Sequence, residues 1–326
     1  MDSQSAHRIY TRERNWDYHQ PAIYFLTLTV ADRLPLLGQL IGGIDDAKVE
    51  LTPLGKRVTD LFNDIPNHHP EIRIIRRLTM PDHFHAIIHV TRPMPVTLGI
   101  CIRGFKWACN AALQQLSHPM TSSSSESLSG DTTLQQRSCL FSPDFYPSRL
   151  KTRGQLQSMI DYLCDNPRRL AVKRANAAYF RIERGVVLEG ISADMVGNKA
   201  LLNGPLMAVH IRHAWTDNEV ERYTHQCLES AKQGIVLISP FISIAERNVR
   251  DQILQQGGSI IVIRQDGFGE LYKPEPMYFD ACAQGRVLLV SIGEYRQVRE
   301  HVTRAQCVTM NTLAEHLALE QRSLTL

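Results

Sequence analysis

The stretch Glu71-Ile-Arg-Ile-Ile-Arg-Arg77, Leu78-Thr-Met-Pro-Asp82, His83-Phe-His-Ala-Ile-Ile-His-Val90 decides the fold of the first half of the chain. Its two flanks are rich in β-branched residues, and the proline and aspartate between them favour a turn, so an antiparallel hairpin is expected. Residues two apart on a strand point to the same side. His83 and His85 therefore share one face, His89 lies further along it, and Phe84 turns into the opposite layer. Working outward, Tyr24-Phe-Leu-Thr-Leu-Thr-Val30 is a third strand, closed by the polar Ala31-Asp-Arg33 turn. Val49 to Leu61 has helical spacing, and Val96 to Leu116 carries Ile102, Phe105, Ala108, Cys109 and Ala112 at three- and four-residue steps. Ser117 to Ser138 is Ser/Thr-rich and reads as a connector, after which Thr152 to Ala175 holds a second periodic helix.

The texture then changes. Thr216-Asp217 caps a helix running to about Gln233, and Ile235–Ser239, Ser259–Arg264 and Arg286–Ser291 are near-continuous apolar strands. Helices near Ala245 to Gln256 and Pro276 to Gln284 separate them. Such alternation indicates an α/β, Rossmann-like parallel sheet covered on both sides. At 326 residues two domains are expected, residues 1–185 and 216–326, joined by a linker over 186–215.

Composition is that of a soluble globular chain: 43% hydrophobic, 21% charged, with no apolar run long enough to span a bilayer. The polar N-terminus has no secretory core, so the cytoplasm is expected and no membrane partner. Seven cysteines without a CxxC pair argue against a disulfide framework and a cysteine zinc site. The formal charge of +3 is small, but the basic surplus sits in residues 1–200, so a polyanionic partner belongs there.

Two groups of residues can carry chemistry. The imidazoles of His83 and His85, held on one strand face, can bind a divalent cation and leave positions open for a phosphate oxygen. Taken alone, an HxH pair is more often a pair of exposed or core-edge histidines. The second group is Asp161-Tyr-Leu-Cys-Asp-Asn-Pro-Arg-Arg169, where Leu156, Met159, Ile160 and Leu163 form the expected buried stripe. Tyr162 and Asn166, one turn apart, fall at its edge, facing a cleft or simply packing.

The runs Ile23–Leu37, Met80-Pro-Asp-His-Phe-His-Ala-Ile-Ile88, Phe105-Lys-Trp107 and Tyr162-Leu-Cys-Asp-Asn-Pro-Arg-Arg169, in that order, resemble the transposases associated with repetitive extragenic palindromes. These are single-tyrosine members of the HUH endonuclease superfamily, and the similarity spans roughly residues 20–175. It implies an α+β, ferredoxin-like antiparallel sheet with helices. It also implies Mg²⁺ or Mn²⁺ held by His83 and His85 and completed by Asn166, with Tyr162 as nucleophile on single-stranded or hairpin DNA. Attack would leave a 5′-phosphotyrosine and a free 3′-hydroxyl, which a second strand can reverse without ATP. An ordinary tyrosine pKa near ~10 makes deprotonation beside the metal part of that expectation. Arg76, Arg77, Arg103, Lys106, Lys151, Arg153, Arg168 and Arg169 are the candidate phosphate contacts, with Lys106 and Arg169 inside the motifs. Trp107 either stacks on a base or packs.

The C-terminal part faintly resembles the core of the DNA-processing protein A family, through Gly257–Gly267 and Gly285–Ser291. It lacks a full phosphate-binding glycine fingerprint, and no site is assigned there. Three activities stay open: a strand-cutting and strand-joining enzyme, a nucleic-acid-binding module with a degenerate site, and a hydrolase of small molecules. Monomer and homodimer are both open.

Overall fold

The computed structural model describes residues 13, 15–117, 139–270, 272–296 and 301–323. The chain divides into two compact units, Met1–Val172 and Lys173–Leu326. Most of the expected connector, residues 118–138, lies outside the described residues.

The first unit runs β1 (Ala22–Thr29), β2 (Gly38–Ile41), β3 (Lys48–Leu51), α1 (Pro53–Asn63), α2 (Ile65–His68), β4 (Ile72–Thr79), β5 (His83–Val90), α3 (Leu98–Ser117), β6 (Tyr146–Arg149) and α4 (Gln155–Ala175). The last residues of α4 are counted with the second unit. The expected hairpin is present: β4 pairs antiparallel with β5, with a register shift between Ile74 and Arg76. The four-stranded sheet has the order β4-β5-β1-β6, antiparallel throughout. The helix expected over Val49 to Leu61 begins later, because Lys48–Leu51 pairs with Gly38–Ile41 as a small hairpin. Thr52 caps the helix, accepting from the Gly55 N–H, and Pro53 occupies its first turn. A proline there holds the preceding residue extended, so the strand-to-helix change falls at Thr52.

Strand alternation sorts the two faces of this sheet. Tyr24, Leu26 and Leu28 of β1 and Phe84 of β5 are fully buried. On that side Phe84 meets Phe62 of α1 with ring centroids 4.7 Å apart, and Phe62 meets Phe105 of α3 edge-on at 5.2 Å. Helices α1 and α3 therefore cover the Phe84 face. The other face carries Phe25, Thr27, His83 and His85, and it is approached by α4.

The second unit runs α5 (Ala177–Phe180), β7 (Glu183–Leu188), β8 (Ile191–Gly197), β9 (Leu206–Ala208), α6 (Asp217–Lys232), β10 (Val236–Ser239), α7 (Ile244–Gln255), β11 (Ile260–Arg264), α8 (Pro276–Ala283), β12 (Val287–Ser291) and α9 (Arg304–Ser323). Its sheet has the order β7-β8-β12-β11-β10-β9. The last four strands in that order are parallel, as the apolar runs imply, whereas β8 lies antiparallel on β12 and on β7. Residues 186–215, expected as a linker, instead hold the end of β7 and all of β8 and β9. Capping boxes start α6 at Thr216/Glu219 and α7 at Ser243/Glu246. Met310, Leu313, Ala314, Leu317 and Ala318 of α9 join the core beside Leu206, Val236 and Ile238. Among the described residues no helix is long and apolar enough to cross a membrane, and none of the seven cysteines is in a disulfide.

Two glycines test the packing of the first unit. A Cβ on Gly55 would lie 1.8 Å from the Leu37 carbonyl oxygen, while one on Gly104 would meet nothing within 4 Å. Gly55→Ala should lower stability by about 1–3 kcal/mol through the forced backbone shift. Gly104→Ala, in the exposed middle of α3, should raise it by roughly 0.5–1 kcal/mol. Urea unfolding of the two variants beside the wild type reads both signs.

Candidate functional site

The site grows from the register of β1 against β5. Thr27 stands opposite His85 and Thr29 opposite His83, and cross-strand partners share a face. The Thr27 hydroxyl lies 3.0 Å from His85 Nδ1. Asp82, the last residue of the β4–β5 turn, places Oδ1 2.6 Å from His83 Nδ1. Both histidines are buried, and their rings lie 4.6 Å apart, nearly edge to face.

The electrostatics assign one tautomer. Burial pushes the Asp82 carboxyl upward, but the hydrogen bond and charge of His83, with Arg33 at 3.3 Å, outweigh it and hold the carboxyl at about 2. Above that pH the carboxylate only accepts, so His83 Nδ1 must donate to it. The neutral ring then carries its lone pair on Nε2. The Nδ1 atoms of both histidines are thus turned to an orienting group, an arrangement that typically supports histidines ligating through Nε2.

Helix α4 brings the tyrosine to this face. The Tyr162 ring is half-buried, with its centroid 6.1 Å from that of His85. Phe25 packs against both rings, 5.1 Å from His85 and 6.2 Å from Tyr162. Asn166 is 3% exposed, so it belongs to the buried face of α4 and not to its edge. Leu163 is buried with it, while Leu156, Met159 and Ile160 are only half covered. The helix passes through Pro167, and the Asn166 amide nitrogen donates to the Tyr162 carbonyl at 2.7 Å. A carbonyl only accepts, so this bond fixes which end of the amide is nitrogen and leaves Oδ1 as the end suited to a cation.

Imidazole nitrogens and an amide oxygen are donor types that suit a hard or borderline divalent ion. Among the described residues no three His, Cys, Asp or Glu side chains converge, so an ion here depends on the amide or on its substrate for further oxygens.

The basic residues separate by face. Arg76 donates to Cys164 Sγ on α4 at 3.4 Å and so flanks the tyrosine helix. The Arg169 guanidinium lies 5.9 Å from the Tyr162 ring centre. Arg77 instead bonds Asn63 at the end of α1, and Arg103 is exposed on α3, both on the side away from the histidines. Lys106 gives its three protons to the carbonyls of Ser142, Pro143 and Asp144, at 2.7, 2.9 and 2.9 Å. Burial lowers its pKa to about 8 against the opposing pull of Asp144. Lys106 therefore holds the chain ahead of β6 and is not placed to meet a phosphate beside Tyr162. Lys151 pairs with Glu13 at 3.0 Å, Arg168 pairs with Asp165 at 2.5 Å, and Arg153 is exposed just before α4. Trp107 is 74% exposed, so it does not pack, and it sits on the helix across the sheet from the histidines.

Sequence reasoning overlooked Phe25, Thr27 and Asp82. The signals were present: Thr27 faces His85 once β1 and β5 are paired, and Asp82 immediately precedes the first histidine.

No family model matches the chain. A protein of Haemophilus influenzae described only as uncharacterized is 29% identical over 108 residues, 33% of this chain and 52% of that protein. The chain thus spans about half the length of the curated relative it matches. Among solved structures, a REP-associated tyrosine transposase bound to a REP hairpin aligns with a TM-score of 0.32 and 14% identity, over 48% of this chain and 72% of that one. A Deinococcus radiodurans protein assigned as a transposase aligns at 0.28 and 15%, over 48% and 96%. Likeness at this level carries no weight for function, which has to come from the side chains.

The Asp82–His83 pair makes a pH test. Its folded-state pKa of about 2 lies below the ordinary 3.8, so its stabilisation is complete above about pH 4 and is lost as pH falls toward 2. Asp82→Asn should unfold more easily than wild type at pH 6, by roughly 2 kcal/mol, with the gap closing by pH 2. Urea midpoints measured from pH 6 to pH 2 check this; a gap that does not narrow would contradict the pairing.

Proposed function

We propose that the first unit is a transposase-like enzyme that cuts and rejoins single-stranded DNA, with Tyr162 as nucleophile. The observation that carries this is the meeting of groups distant in sequence: a tyrosine from α4 lies near His85, which is itself edge to face with His83, on one sheet face. The order β1-α1-β4-β5-α3-β6 and the strand order β6-β1-β5-β4 support a ferredoxin-like reading of the unit. The C-terminal unit, with four parallel strands and helices between them, supports a Rossmann-like reading.

In this reading His83 and His85, through Nε2, and Asn166, through Oδ1, would hold Mg²⁺ or Mn²⁺. When bound, such an ion supplies Lewis-acid polarisation of a phosphate oxygen. The remaining work belongs to the side chains. Asp82 fixes the His83 tautomer, Thr27 sets the His85 ring, and the Asn166–Tyr162 bond ties the amide to the tyrosine's own turn. The Tyr162 oxygen attacks the scissile phosphorus, its proton passes to solvent, and the bond to the 3′ oxygen breaks. The products are a 5′-phosphotyrosine and a 3′ oxygen that takes up a proton. A 3′-hydroxyl from a second strand reverses the step with no net loss of phosphodiester bonds, so no nucleotide fuel is required. Arg76, beside α4, and Arg169, on α4 near the Tyr162 ring, are the best-placed phosphate contacts.

A 3′-labelled oligonucleotide carrying a hairpin, incubated with the chain and Mn²⁺, should give a covalent protein–DNA adduct on a denaturing gel. Tyr162→Phe should reduce the adduct to background, and EDTA should suppress it until Mn²⁺ is restored. Salt-sensitive DNA retention without any adduct, unchanged by EDTA or by Tyr162→Phe, would instead favour a binding module.

A further inference from the structure

The second unit holds a cleft of about 570 Å³ that the chemistry above does not use. Its lining includes Lys173, Phe180, Arg181, Arg184, Glu270 and Tyr272, all within that unit. The volume is in the range of small-ligand sites. Arg184 is already committed: it pairs with Asp194 at 2.5 Å and donates to the Phe268 carbonyl at 2.9 Å. Lys173 and Arg181 differ, because among the described residues neither has an acidic partner. Lys173 and Arg181 against the single carboxylate of Glu270 leave the lining with a positive surplus, which favours an anionic ligand.

The cleft also has a fixed aromatic wall. The Tyr272 hydroxyl donates to Glu275 at 2.9 Å and accepts from Arg264 at 2.8 Å, and its ring stands 4.5 Å from that of Phe268. With its hydroxyl committed to this network, Tyr272 offers the cleft its ring. Glu270 adds an acceptor for a hydroxyl or amino group.

The cleft's place in the fold points the same way. The chain leaves the carboxyl end of β11 at Arg264 and continues to Glu270 and Tyr272. Arg184 is tied to Asp194, which is opposite Ser291, the last residue of β12. The lining therefore gathers at the carboxyl edge of the parallel strands, where open α/β sheets take ligands.

We propose that this cleft binds a nucleoside phosphate, with the phosphate on Lys173 and Arg181, a sugar hydroxyl on Glu270, and the base near Phe180 and Tyr272. The phosphate could be that of a free nucleotide or of a strand end, and the inference stands independently of DNA cleavage by the first unit. Calorimetric titration of the full chain with adenosine 5′-monophosphate should give saturable binding, with adenosine at least about tenfold weaker. The double variant Lys173→Gln/Arg181→Gln should weaken the nucleotide at least about tenfold while leaving the unliganded melting temperature unchanged or raised. Glu270→Gln should weaken the nucleotide but not inorganic phosphate. Displacement of the nucleotide by a 5′-phosphorylated single-stranded oligonucleotide assigns the phosphate to a strand end, and its absence assigns it to a free nucleotide. No binding of any phosphate probe at millimolar concentration, or equal binding by wild type and the double variant, would overturn the proposal.

Discussion

The pairing of β1 with β5 is the constraint on which the first unit turns. Because side chains alternate, a slip of one residue would carry His83 and His85 into the layer held by Phe62 and Phe105 and would turn Phe84 outward. The register is fixed by that same aromatic layer, since Leu26, Leu28 and Phe84 are all fully buried. The packing that stabilises the unit thus also sets which face holds the imidazoles. Thr27 is opposite His85 for the same reason.

From this constraint follows a division of labour between the two faces. The face under α1 and α3 is apolar and closed, and two basic residues on that side serve structure: Arg77 ties to Asn63, and Lys106 binds three successive carbonyls. The face under α4 holds polar groups that are buried yet paired, which is how such groups persist in a folded interior. The buried groups are His83, His85 and Asn166, paired in turn with Asp82, Thr27 and the Tyr162 carbonyl. Each bond fixes an orientation as well as satisfying a donor.

Local features were legible in the sequence, and features that depend on distant packing were not. Period-two alternation placed His83 and His85 together, and the apolar runs after residue 235 marked the parallel strands. The charge pattern could not say which face a lysine or arginine occupies, so Arg77, Arg103 and Lys106 were grouped with Arg76 and Arg169. Asn166 was expected at the edge of a stripe because helical spacing ignores what covers the helix. The hairpin of β7 and β8 was missed because its two-residue turn is Glu189-Gly190, both at positive φ, and glutamate is not a residue that advertises such a turn. Its alternation, with exposed Glu183 and Arg184, resembles a linker when read without the neighbouring β12.

In the proposed enzyme, two imidazole Nε2 atoms, an amide oxygen and a phenol would form one centre. The most direct measurement is anomalous X-ray diffraction from crystals of the chain grown with Mn²⁺. Such a centre requires a single strong peak about 2.0–2.3 Å from Nε2 of both His83 and His85, on the Tyr162 side of the sheet. A peak bound elsewhere, or histidines that meet the ion through Nδ1 with Asp82 and Thr27 displaced, would contradict it.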